Sequence, residues 1–253
     1  MGAYRHNLAF VHNGDLMGAY HGGWSLGGFA GAGVLLVLLK ILSFSVNESI
    51  WGLLIVLFIA MVVVSQFMLT FGSDPNAKVT KKSKSPLSFH PIALIFGLLS
   101  FVSYLVEGAV GDWSALYLFE DKGIVIEEAV MGVMLFNGTM CIGRLLGNRL
   151  GKHLTSKQVV VGGYLLGSIA MGLIVFLPGH ASMYTYLLLG ISLAMIVPNL
   201  FSAMGEQNVI PMTQAVATST MLGYMGILMG PALIGFIAHG TSLTVAFIVL
   251  TTL

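Results

Sequence analysis

Apolar residues along this chain come in long runs separated by short polar connections. Stretches 25–42, 50–70, 91–118, 129–146, 159–177, 184–204 and 215–237 each approach or exceed the roughly 20 apolar residues that a helix needs to cross hydrocarbon about 30 Å thick. An eighth run, 242–253, is about 12 residues long and too short to cross untilted. The pattern predicts an all-α polytopic membrane protein with seven complete transmembrane helices and a short, truncated eighth. A closed β-barrel would show alternation in strands of about ten residues, which the runs lack.

Composition agrees with the pattern. Of 253 residues, 57% are hydrophobic and only 8% charged, and the mean hydropathy is +0.93; a soluble domain spends about a quarter of its residues on charge. A net charge of +1 with scattered bases offers no nucleic-acid surface. The lone Cys141 permits no intramolecular disulfide and reads as a small helix-packing residue. His6, His12, His21, His90, His153, His180 and His239 show no metal-ligand spacing within a span, so no metal or other cofactor is expected. Arg5, His6, Asn7, His12 and Asp15 interrupt any apolar signal core.

The loops carry an orientation. Arg5, Lys78, Lys81, Lys82, Lys84, Arg144, Arg149, Lys152 and Lys157 fall on one side of the predicted spans, and Lys40 and Lys122 on the other. By the positive-inside rule the first side is cytoplasmic, including the polar stretch 72–90, where Asp74-Pro75 and Ser85-Pro86 discourage helix. Lys40 is expected to snorkel to the outer surface.

Candidate chemistry centres on Glu107, near the middle of the third run. A carboxylate at that depth costs several kcal/mol unless it meets a polar cavity or a partner. Ser100, Tyr104, Glu107, Gly111 and Ser114 share one helical face, and a polar stripe in an apolar helix implies a cavity. Glu107 there binds a substrate hydroxyl or cation, or exchanges a proton; the alternative is a protonated acid hydrogen-bonded to a neighbouring helix. Asp112 lies on another face, closer to the outer surface beside Glu120 and Asp121. In the sixth run Ser192, Met195, Asn199, Ser202 and Glu206 recur at helical spacing, with Pro198 loosening the turn before Asn199. Asn137 and Gln66 are further polar candidates. Trp24, Trp51 and Trp113 stand toward span ends, where tryptophans anchor helices at the interface.

Several motifs remain. The segment from His21 to Gly28 reads HGGWSLGG, and that from Glu107 to Leu118 reads EGAVGDWSALYL. Gly143, Arg144, Gly147, Asn148, Arg149, Gly151 and Lys152 combine glycines every fourth residue, a ridge for close helix approach, with charge at the membrane edge. Gly226 and Gly230 make a second small-residue face, followed by Pro231 and Gly235. With these features the chain resembles the major facilitator superfamily, in a bacterial branch related to the fucose permeases. That family has twelve helices in two six-helix halves joined by a basic cytoplasmic linker.

The resemblance implies that residues 1–71 end the N-terminal half with family helices five and six. Residues 72–90 are then the cytoplasmic linker, and 91–253 the C-terminal half with helices seven to twelve, the last truncated. Four family helices have no counterpart, so the chain is expected to be incomplete. The segment 143–152 is similar to the family's cytoplasmic glycine-and-arginine motif, with Asn148 where the family commonly has aspartate. The implied function is secondary active transport of a small polar solute, a sugar or related metabolite, proton-coupled, by alternating access in a bacterial inner membrane. Its partners are the lipid bilayer, the solute and protons. The seventh and tenth family helices line the central cavity, which makes Glu107, Tyr104, Asn137, Asn199, Trp113 and Gln66 the substrate or proton candidates, with Trp113 available to stack on a sugar ring.

Two other classes compete. An intramembrane aspartyl protease would need Gly-x-Gly-Asp, and Ala109-Val110-Gly111-Asp112 does not supply it. No His-Glu-x-x-His zinc motif occurs either, so no enzyme activity is expected. A retinal protein would need a lysine in a late helix, and 215–237 has none. A remnant that folds without transporting stays open.

Overall fold

The computed structural model describes residues 14–66, 87–150 and 154–253, with side chains omitted at 14–21 and 147–150. All regular structure among these residues is helical. Helix α1 spans Gly14–Leu36 and runs on through a π-helical segment, Val37–Ile41. Then come α2 (Val46–Ser65), α3 (Pro91–Glu120), α4 (Ile126–Leu150) and α5 (Ser156–Phe176). The chain continues through α6 (Gly179–Ala194), α7 (Ile196–Glu206), α8 (Met212–Gly240) and α9 (Leu243–Thr251). Seven helices among the described residues are long and apolar enough to cross a membrane, with α6 and α7 counted as one span. The predicted span count therefore stands.

Helix starts follow local chemistry. Ser45 and Glu48 form a capping box at α2, and Thr155 and Gln158 form another at α5. At α3, Pro91 occupies the first turn while His90 Nδ1 accepts the Ile92 N–H at 3.3 Å. The turn from α3 to α4 passes through Gly123 at φ +68°, a left-handed conformation that a side chain would strain. Beside it, Lys122 donates to the carbonyls of Val175 and Leu177 at 2.6 and 2.9 Å, tying this turn to the end of α5. Burial holds the Lys122 ammonium below the usual lysine pKa range, against the opposing pull of Asp121.

The sixth predicted span is not one uniform helix. It breaks at Met195, where φ −101° and ψ −4° close α6 and open α7. Pro198 has no N–H to return to the carbonyl of Ala194, so the ladder is interrupted one turn before the ring.

Helices α3 to α9 enclose the core, in which the rings of Tyr117 and Phe247 stack 4.1 Å apart among Phe136, Met140, Tyr186 and Ile196. Two seams position the site. Between α3 and α8, Gly226 faces the Phe101 carbonyl and Gly230 the Leu105 carbonyl, so closely that a Cβ would collide with each. In return, a Cβ on Gly108 would lie 2.8 Å from the carbonyl of Ile227, the group that Pro231 deprives of its helical donor. Between α1 and α4, Gly28 sits under Asn137 and Gly138 under the ring of Phe29. Helix α2 packs chiefly on the π-helical turn and buries only Ser49.

Candidate functional site

Helix α3 carries Glu107 midway along its length. Thirteen residues separate it from Glu120, which at 1.5 Å per residue is about 20 Å from that end. Arg144 lies eighteen residues into the antiparallel α4, about 27 Å from the same turn. Helical side chains lean toward their own N-termini, so across antiparallel helices Glu107 and Arg144 lean toward each other. Their groups meet: Arg144 Nη2 donates to Glu107 Oε2 at 3.2 Å. Arg144 Nη1 donates to Ser25 Oγ of α1 at 2.6 Å, and Ser25 is fully buried. Three helices thus converge on one guanidinium.

Burial distinguishes the partners. The Arg144 side chain is 1% exposed and that of Glu107 10%, so the cation is the more deeply buried of the two. Arginine keeps its charge at any biological pH, and removing an ion from water carries a penalty of several kcal/mol. The Glu107 carboxylate offsets that penalty and makes the pair electrically neutral.

Tyr104, one turn before Glu107, packs over Gly223 of α8 and stacks on Tyr224 with ring centroids 6.1 Å apart. The polar stripe divides among different neighbours. Ser100 Oγ pairs with Ser219 Oγ of α8 at 2.7 Å, and Ser114 donates to the Val110 carbonyl of its own helix at 2.5 Å. Gly111 and Asp112 are exposed.

The other sequence candidates lie apart from the pair or serve their own helices. Asn137 Nδ2 donates to Val133 O at 3.0 Å and Asn199 Nδ2 to Met195 O at 2.8 Å. Asn137 stands two turns before Arg144 on the side of α4 that meets α1. Gln66 bonds Val62 O and Ser65 Oγ at the end of α2. Trp113 Nε1 donates to Pro231 O at 2.9 Å while its ring covers Gly235, so the indole fastens α3 to α8. It also borders a cleft of about 470 Å³ with Glu120, Asp121 and His239.

In the glycine-and-arginine segment, Gly143 packs against Ile191 and Ala194 of α6. The sequence grouped Arg144 with the cytoplasmic edge; the structure turns it inward. The physical reason is its position: it falls two residues before the apolar span ends at Leu146, where a side chain can either snorkel out or reach back. Glu107 and Ser25 supply the partners that make reaching back favourable. Gly151 and Lys152 lie outside the described residues, as does linker segment 72–86, and the side chains of Asn148 and Arg149 lie outside them too, together with any at Gly147.

A second polar cluster joins the π-helical turn, α4 and α6 at the opposite end of α4. Lys40, in the π-helical turn, reaches Glu128 Oε1 at 3.0 Å, and His180 Nε2 of α6 lies 3.1 Å from Glu128 Oε2. All three are substantially exposed. Lys40, half-exposed, thereby bridges the π-helical turn that follows α1 to α4.

No protein-family model matches the chain. It is 36% identical over 237 residues to an uncharacterized MFS-type transporter of Yersinia pestis, covering 92% of this chain and 59% of that protein. It is 31% identical to membrane protein MosC of Rhizobium meliloti over 59% of this chain and 37% of that one. The fosmidomycin resistance protein of Escherichia coli is 25% identical over 85% of this chain and 54% of its own length. The chain therefore spans between 37% and 59% of the length of these relatives. Their names describe an MFS-type transporter, a membrane protein and a resistance protein. Aligned along nearly its whole length with a transporter of this type, and built from seven apolar helices, the chain belongs to the major facilitator superfamily.

Proposed function

We propose that this chain is part of a secondary active transporter that moves a small polar solute, a sugar or related metabolite, together with protons across a bacterial inner membrane. Residues 1–71 end one half of the transporter, 72–90 form a cytoplasmic linker and 91–253 supply the other half. The observation that carries the reading is the Glu107–Arg144 pair, buried at mid-depth with the Glu107 side chain 10% exposed. Intramembrane ionisable groups mark substrate and proton paths, and transporters with repeated halves bind at the midplane between them. Ser25 on α1 and Glu107 on α3 contribute from either side of that division to one guanidinium. The name of the Yersinia relative supports transport.

In this reading Glu107 takes up a proton on one side and releases it on the other, and Tyr104 lines the solute path beside it. Uptake driven by an imposed pH gradient, in membranes containing the natural full-length protein, tests this. Glu107→Gln should insert normally and lose gradient-driven accumulation by at least tenfold. Unchanged accumulation with unchanged pH dependence would overturn the reading.

A further inference from the structure

We infer that the groove between α4, α5 and α6 binds one anionic phospholipid, with an acyl chain lying along α5 and the phosphate at the start of that helix. The inference does not depend on the proton coupling proposed above.

The groove encloses about 350 Å³ and is walled by Gly143 of α4, by Leu154, Val159 and Leu166 before and along α5, and by Ile191 and Met195 at the end of α6. Its two polar side chains are engaged locally. Ser192 Oγ donates to the Leu189 carbonyl at 2.7 Å, and Gln158 Oε1 accepts from the N–H and the Oγ1 of Thr155 at 2.9 and 3.1 Å. Among the described residues no ionisable side chain lines the groove. Such a wall suits hydrocarbon better than a polar solute, whose hydroxyls would lose water without gaining partners. Glycine makes the room: a Cβ on Gly162 would meet nothing within 4 Å.

The direction of the groove matches a lipid. From Gln158 to Leu166 it follows α5 for eight residues, about 12 Å, from the first turn of a membrane span inward. Acyl chains lie along that same direction. On α4, Met134, Gly138 and Leu145 face α1, and at 100° per residue Gly143 falls on the opposite side. The groove therefore opens away from α1, and beside it α5 presents the exposed apolar side chains of Leu165 and Ile169.

Charge complementarity selects the headgroup. Residues 129–205 contain no aspartate or glutamate, yet carry Arg144, Arg149, Lys152 and Lys157. Arg144 turns inward to Glu107; the other three stand in sequence around the α4–α5 connection, with Lys157 exposed in the first turn of α5. The positive pole of the α5 dipole lies at the same end and favours a phosphate there. A zwitterionic lipid leaves this charge uncompensated, whereas an anionic one neutralises it. Met195 is both a wall of the groove and the point where α6 gives way to α7, so the bound chain buttresses that break.

The test is native mass spectrometry of the natural full-length protein in neutral detergent, titrated with phosphatidylglycerol, with phosphatidylcholine of identical acyl chains, and with glycerol 3-phosphate. One phosphatidylglycerol should bind saturably, about fivefold or more tighter than phosphatidylcholine, the worth of one lysine beside an anionic headgroup. Glycerol 3-phosphate should not displace it. Gly162→Leu fills the groove at an open position and should weaken both lipids by about tenfold, equivalent to about two buried methylenes. Gly31→Leu, at an equally open position on α1, should change neither. Lys157→Glu should abolish the preference for phosphatidylglycerol. Equal affinity for the two lipids, or a preference that survives Lys157→Glu, overturns the anionic assignment. Phosphatidylglycerol binding unchanged in Gly162→Leu overturns the groove as its site. Displacement by glycerol 3-phosphate overturns the lipid in favour of a free phosphate ester. A lipid-free dimer that Gly162→Leu dissociates overturns it in favour of a second copy of the chain.

Discussion

Helix α3 meets its two neighbours by opposite means. Toward α8 it presents Gly108 and backbone carbonyls to Gly226 and Gly230, and the polar contacts are small: Ser100 with Ser219, Trp113 Nε1 with Pro231 O. Toward α4 and α1 it presents a full charge to a buried guanidinium. The first seam gains dispersion from close backbone approach and has one well-packed arrangement, which suits a fixed unit. The second is held by attraction between two opposite charges, so a proton added to Glu107 weakens it and changes its preferred arrangement. Rigidity and switching therefore sit on opposite faces of one helix.

The largest expected effect is on the charged face. Arg144→Gln leaves Glu107 buried without its counter-ion and should lower unfolding stability by about 3–5 kcal/mol, read by thermal denaturation in detergent. On the glycine face, Gly226→Val pushes a branched side chain into the Phe101 carbonyl and should cost about 1–3 kcal/mol by the same measurement. Trp113→Phe keeps the ring over Gly235 and removes the bond to Pro231, an expected loss of about 1 kcal/mol with solute uptake retained. Ser219→Ala removes the contacts to Ser100 and Phe96 and should cost about 0.6 kcal/mol. The smallest effect belongs to the exposed cluster: Lys40→Gln should leave the melting temperature unchanged, because water and salt screen the pair with Glu128.

The spans were readable because hydropathy is a local property: 91–118 and 215–237 sit inside α3 and α8. The break before Asn199 was readable for the same reason, since Pro198 disrupts its own helix. What the sequence did not reveal is which side chains meet across helices. Glu107 was identifiable as costly at depth, but its partner is 37 residues away, and their meeting depends on the register set by the turn at Gly123. The apolar run ends at Leu146, so Arg144 reads as a snorkelling cation unless Glu107 and Ser25 are known to face it. Trp113 likewise shows a ring suited to an interface, and nothing in the sequence shows that its N–H meets the carbonyl of Pro231. The small-residue faces at Gly226 and Gly230 were visible, but not that α3 fills them.

The central claim is that Glu107 and Arg144 act as one neutral unit within the bundle. A double-mutant cycle in lipid nanodiscs, with Glu107→Gln, Arg144→Gln and the two combined, measures that directly. The account predicts that the double variant is more stable than Arg144→Gln alone and that the coupling energy exceeds about 1.5 kcal/mol. Additive costs for the two substitutions, with the double variant the least stable of the three, would contradict it.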